Sequence, residues 1–133
     1  MSIDSQWDVQ TAIFSALTSH TPLTALAQIF DDVPENTGFP YVAIGEMDGR
    51  VHTTQTQSGF DITLSIHSFS RYRGFKELRL IMAEIFSALH NANPAISGQT
   101  AVLCQFLSSS TTLEDAGKTR HGIQKFQIIT EPT

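Results

Sequence analysis

Few residues of this chain stand at spacings that could do chemistry. Gly117-Lys118-Thr119 has the ending of a phosphate-binding loop, where backbone amides and a lysine would cradle a nucleotide. That loop needs a glycine five residues before Gly117, where Thr112 stands. It also needs a helix to follow, because the helix N-terminus binds the phosphate; here a strand is expected. The five histidines, His20, His52, His67, His90 and His121, show none of the short spacings of a zinc motif. The single cysteine, Cys104, cannot supply a thiolate set. No G-x-S-x-G elbow is present. Asp31-Asp32 and Glu114-Asp115 are adjacent acid pairs that could share a proton or hold a cation. Without a glycine-punctuated calcium loop they read as solvated turns. No catalytic, cofactor-binding or metal residue is expected.

The segment Arg71-Tyr72-Arg73-Gly74-Phe75-Lys76 has more to offer. Arginines interleaved with aromatics can stack bases and clamp phosphates. They are equally suited to protein interfaces, where arginine and tyrosine are enriched, or to the solvated start of a helix. The interface reading fits the charge distribution best. Residues 1–50 carry seven acids (Asp4, Asp8, Asp31, Asp32, Glu35, Glu46, Asp48) and one base, a net of -6. Residues 51–133 carry six acids and seven bases, a net of +1. Such asymmetry bears on association rather than on fold. The overall net charge of -5 argues against a general nucleic-acid binder. The expected interface residues are Arg71, Tyr72, Arg73, Phe75 and Lys76 on one side and Asp31, Asp32 and Glu35 on the other.

These segments need elements to position them. Asp4 or Ser5 can cap a helix over about 5–19, in which Val9, Ile13, Phe14 and Leu17 recur at helical steps after Trp7. Thr21-Pro22 suits the start of a short helix over Leu23–Gln28. Residues 31–40 form a loop by their proline, asparagine and glycine content. Tyr41–Met47 reads as a first strand, and 48–58 as a polar connection or an exposed hairpin extension. Phe60, Ile62, Leu64 and Ile66 alternate with polar residues, the mark of a strand with one buried face. A helix over about 75–91 carries the stripe Leu78, Ile81, Met82, Ile85 and Leu89, with Phe86 beside it. Thr100–Ser108 is apolar on both faces and reads as a central strand, followed by a polar loop over 109–119. Gly122–Thr130 is a fourth strand. The expected fold is α+β: a four-stranded sheet, antiparallel or mixed, with two main helices on one face, in the order α-(α)-β-β-α-β-β.

The 133 residues fit one domain, 1–133, with a core that needs no staples. Hydrophobic residues make up 41% and charged residues 16%, a globular balance. Cys104 lies in an apolar run and reads as a small buried hydrophobe. No secretory signal and no membrane-spanning stretch is present, so a cytoplasmic site of synthesis is expected.

Several segments taken together resemble a known family. Asp31-Asp32-Val33-Pro34-Glu35 is followed by Phe39-Pro40-Tyr41-Val42-Ala43-Ile44-Gly45-Glu46, then Ser70-Arg71-Tyr72-Arg73-Gly74, Thr119-Arg120-His121-Gly122 and Ile129-Thr130-Glu131-Pro132. In order and spacing they resemble the small tail-completion, or head-to-tail joining, proteins of long-tailed phages, with relatives in prophages and gene transfer agents. The likeness runs from Trp7 to Pro132. It implies a tail terminator with no catalytic residues and no cofactor. The implied assembly is a ring of identical subunits, usually a hexamer, at the virion tail and neck, made in the host bacterial cytoplasm. Its partners would be other copies of itself, the tail tube protein and a head-neck connector, with DNA passing through and no membrane contact.

Three other readings make different demands. A neck stopper or adaptor would differ in stoichiometry and position. A small-molecule-binding or catalytic α+β domain would need a deep apolar pocket with convergent polar groups. A nucleic-acid-binding module would bind tightly with a steep salt dependence. For a ring, the unlike charge patches predict a heterologous contact between neighbours. The strand order predicts that 48–58 and 109–119 lie at opposite ends of the sheet.

Overall fold

A computed structural model describes residues 4–55 and 57–133; Met1–Ile3 and Thr56, the latter inside the expected 48–58 connection, lie outside the described residues. The elements are α1 (Gln6–Thr18), α2 (Thr21–Thr24), β1 (Gln28–Phe30), β2 (Tyr41–Thr53), β3 (Ser58–Ser70), α3 (Lys76–Leu89), β4 (Gln99–Glu114) and β5 (Thr119–Pro132). The fold is α+β as expected, but the sheet has five strands, in the order β1-β2-β3-β5-β4. The additional strand is β1, which runs parallel to β2 with Gln28, Ile29 and Phe30 opposite Tyr41, Val42 and Ala43. The short helix expected over Leu23–Gln28 stops at Thr24, because pairing with β2 satisfies the backbone of Gln28–Phe30. The ten residues 31–40 supply the connection that a parallel pair requires.

Both main helices lie on one face of the sheet, over Phe60, Ile62, Leu64 and Ile66 of β3 and Phe126 and Ile128 of β5. α1 contributes Val9, Ala12, Ile13 and Leu17; Trp7 stays outside the core, 70% exposed. Asp4 Oδ1 accepts the Gln6 amide, while the Ser5 hydroxyl bonds the Thr130 hydroxyl inside the fold. α3 buries the five stripe residues named above. It sits close to β5 because Gly122 leaves room for Met82; a Cβ there would overlap the Met82 sulfur. Gln124 Nε2 donates to the Met82 carbonyl at 2.9 Å. At the helix end, Asn91 N–H donates to the Cys104 carbonyl and Phe106 N–H donates to His90 Nδ1, which ties α3 to β4. His20 Nε2, 2.9 Å from Glu84 Oε1, ties the α1–α2 junction to α3.

The strand expected to be central is instead at the edge. β4 pairs only with β5, and Val102 (54%) and Leu107 (46%) are exposed. Two β-bulges explain the misleading pattern. The register jumps between Ala101 and Leu103 and between Phe106 and Ser108, so Val102 and Leu107 are inserted residues. With them set aside, Ala101, Cys104 and Phe106 face the core in ordinary alternation. β5, the last strand in sequence, lies inside the sheet between β3 and β4.

Both expected polar loops are mostly strand. β2 and β3 continue to Thr53 and from Ser58, so 48–58 is a hairpin extension. β4 continues to Glu114, which shortens the 109–119 loop to a turn over 115–118. That turn holds Asp115, Ala116 and Gly117 at positive φ, closed by Lys118 N–H on the Asp115 carbonyl. β3 and β4 both run antiparallel to β5, so the two hairpin turns lie at opposite ends of the sheet, as the strand order predicts.

Candidate assembly surfaces

The basic segment follows β3 at the end of the sheet that carries turn 115–118. Ser70 Oγ donates to Glu77 Oε1 at 2.7 Å and accepts the Tyr72 amide, fixing the turn into α3. Gly74 supplies the left-handed backbone there, with φ of +74°. Arg71 is engaged within the subunit. Its Nη2 donates to Asp115 Oδ2 at 2.8 Å, its Nε donates to Thr119 Oγ1 at 3.0 Å, and its guanidinium lies 4.4 Å over the Phe39 ring. Tyr72, Arg73 and Lys76 are exposed. Phe75 is partly buried, its ring flanked by the guanidinium groups of Arg79 (4.9 Å) and Arg120 (5.6 Å). With Lys118 in the turn, this end holds six of the eight lysines and arginines. Asp31, Asp32 and Glu35 are exposed on the β1–β2 loop, on the flank of the other edge strand. Among the described residues no ion pair joins them to the basic segment.

A second feature lies on the sheet face away from the helices. Glu46, His67, His121 and Glu114, from β2, β3, β5 and β4, form one hydrogen-bonded row. Glu46 Oε2 is 3.1 Å from His67 Nε2, His67 Nδ1 is 2.8 Å from His121 Nε2, and His121 Nδ1 is 2.7 Å from Glu114 Oε2. Which ring nitrogen donates in each contact is set by the tautomers of the two imidazoles. Gly45 makes room, since a Cβ there would overlap the His67 ring. The Glu46 carboxyl is held below the usual carboxylate range, most by a hydrogen bond at its own backbone and next by the hydrogen bond from His67. Phe69 stacks on His121 at 4.4 Å and Tyr41 on Phe69 at 4.9 Å, extending the row into an aromatic patch.

Nearer the other end a second row crosses the same strands. Arg50 Nε donates to Asp61 Oδ2 (3.4 Å), Gln127 Nε2 donates to both Asp61 oxygens (3.1 Å each), and Gln105 Nε2 donates to Gln127 Oε1 (3.1 Å). This accounts for Asp61 being buried on a strand face that no helix covers. Neither row was legible in the sequence. His67 and His121 lie 54 residues apart, and only the β3–β5 register, with Phe69 opposite His121 and Ile123 opposite His67, makes them diagonal neighbours.

The remaining chemistry-bearing residues stay apart. Gly117-Lys118-Thr119 turns into β5, so no helix N-terminus follows it. Cys104 is buried, its Sγ donating to the Leu89 carbonyl, and burial pushes its thiol up to about 11. Among the described residues no group of three or more His, Cys, Asp or Glu could hold a metal ion, and no helix is long and apolar enough to cross a membrane.

The molecule is thus an α+β domain with helices on one face of a five-stranded sheet and polar side chains tied to one another in rows on the other. The sequence matches the family model for tail completion protein gp17 over residues 11–131, and the chain belongs to that family. Among solved structures, a chain in the virion of a native gene transfer agent particle matches it with a TM-score of 0.89 at 22% identity, covering 98% of this chain and 99% of that one. The gp17 protein of bacteriophage SPP1 matches with a TM-score of 0.67 at 23% identity, covering 96% and 91%. These two likenesses establish the fold. No curated protein sequence matches. As a member of that family the chain is a structural tail-completion, or tail-terminator, protein.

Proposed function

We propose that the chain forms a homo-oligomeric ring, a hexamer, that closes the tail tube and presents it to the head-neck connector. DNA crosses the ring only in transit, and the protein acts by assembly without catalysis. The observation that carries this reading is the polarity of the subunit along its strands. The end with turn 115–118 gathers Arg71, Arg73, Lys76, Arg79, Lys118 and Arg120. The opposite end, with the β2–β3 hairpin turn, has Asp4, Asp8 and Glu131 beside it. A part held between two different assemblies needs two different ends, and 48–58 and 109–119 provide them. Around the ring, Arg73 and Lys76, with Tyr72 and Phe75 adding apolar contact, face Asp31, Asp32 and Glu35 of a neighbour. Arg71 positions that segment from within. Exposed ion pairs contribute only about 0–1 kcal/mol each, so they set register while apolar burial supplies most of the affinity. Sedimentation of the purified chain over a salt series tests this reading. The expected result is an oligomer that dissociates as salt rises without unfolding, and that Arg73→Glu with Lys76→Glu abolishes. Normal rings from that double variant would remove the basic segment from the interface.

A further inference from the structure

Between α3 and β4 runs an open groove of about 550 Å³. Arg79, Ala83 and Phe86 form its helix wall, Phe106 and Gln124 its floor. The other wall is Ser109–Thr111, part of the free edge of β4. Up to Phe106 that edge is closed by the helix end, through the Asn91 and His90 contacts. Beyond Phe106 no described segment pairs with it, and an edge strand leaves every second amide and carbonyl open to another chain. Gln124 is only 3% exposed, and its Oε1 has no hydrogen-bond partner. Arg79 has no carboxylate partner among the described residues and rests only on the Phe75 ring. The groove thus offers aromatic surface from Phe86 and Phe106, a buried unpartnered amide oxygen on Gln124, an open strand edge and an uncompensated cation at its rim.

We infer that this groove receives the segment Asp31–Glu35 of a neighbouring copy of the chain. This rests on the ring reading and deepens it. Three properties of the segment match the groove. Asp31, Asp32 and Glu35 are exposed and supply the negative charge for Arg79. Val33, 37% exposed, and Pro34 present apolar surface between those acids, suited to Phe86 and Phe106. Val33 and Pro34 lie between the bend at Asp31–Asp32 and the turn that starts at Glu35, and a residue before proline favours extended backbone, the conformation that lies along a strand edge. The segment follows β1, at the opposite edge of the sheet from β4. The contact is therefore heterologous and propagates from subunit to subunit, as ring closure requires.

The test is a chain carrying Val33→Cys and Ala83→Cys, treated with a short bis-maleimide. Both positions are on the surface, and buried Cys104 does not compete. The expected result is a ladder of covalent oligomers up to the closed ring, with each single-substitution variant left monomeric on a denaturing gel. In parallel, Arg79→Glu and Asp31→Lys/Asp32→Lys should each weaken assembly about tenfold. Combining the two sets should restore it. Rings that form without a 33–83 cross-link, or a tail-tube or neck protein captured at position 83 instead, overturn the inference and leave the ring reading standing. A chain that never oligomerises, alone or with tail tubes, overturns both.

Discussion

At the residue scale the row Glu46–His67–His121–Glu114 joins four strands through side chains alone. Replacing His121 by Ala leaves the mostly buried His67 Nδ1 without its partner, while the half-exposed Glu114 carboxylate turns to solvent. Unpaired groups of this kind cost about 1–3 kcal/mol, which urea denaturation would read; an unchanged midpoint would show that solvent replaces the row at no loss. The depressed Glu46 pKa sets a sign for pH dependence. A carboxylate held low in the folded state contributes stability above its unfolded pKa, and that stability is lost as pH falls through the folded value. The difference in Tm between the native chain and Glu46→Gln should therefore be largest near neutrality and shrink as pH falls below the ordinary carboxylate range. A difference that persists in acid would contradict this. Cys104 was legible as buried from its apolar run, whereas the partners of the histidines were not. Hydropathy records which face a residue takes, but not which strand lies beside it.

At the element scale the clearest patterns were the most faithful. The period of Leu78, Ile81, Met82, Ile85 and Leu89 located α3 and its buried face, and the alternation from Phe60 to Ile66 located β3. Ile85 is fully buried in the cluster between helix and sheet, so Ile85→Ala should cost about 2–5 kcal/mol, read by chemical denaturation. A loss under about 0.5 kcal/mol would mean that the helix packs by another face. β4 was misread because two bulges each insert an apolar residue, which mimics a strand buried on both faces. As inserted, exposed side chains, Val102 and Leu107 should accept lysine with stability changes within about 0.5 kcal/mol. β1 was hidden for a different reason. Three residues carry no period, and their pairing with β2 depends on a ten-residue loop that returns the chain beside them.

At the scale of the whole molecule the strand order was legible enough to place the two hairpin turns at opposite ends. The charge split along the sequence was legible too. Its spatial form was not, because Arg79, Lys118 and Arg120 join the basic segment only through the turn into α3 and the β4–β5 hairpin. The polarity that results is what the proposed position between tail tube and neck would require, and the chain belongs to a tail-completion family. The most direct test is electron microscopy of the purified chain mixed with tail tubes. A ring of six copies seated on one end of each tube is the predicted result; copies bound along the tube wall, or tube ends left bare, would contradict it.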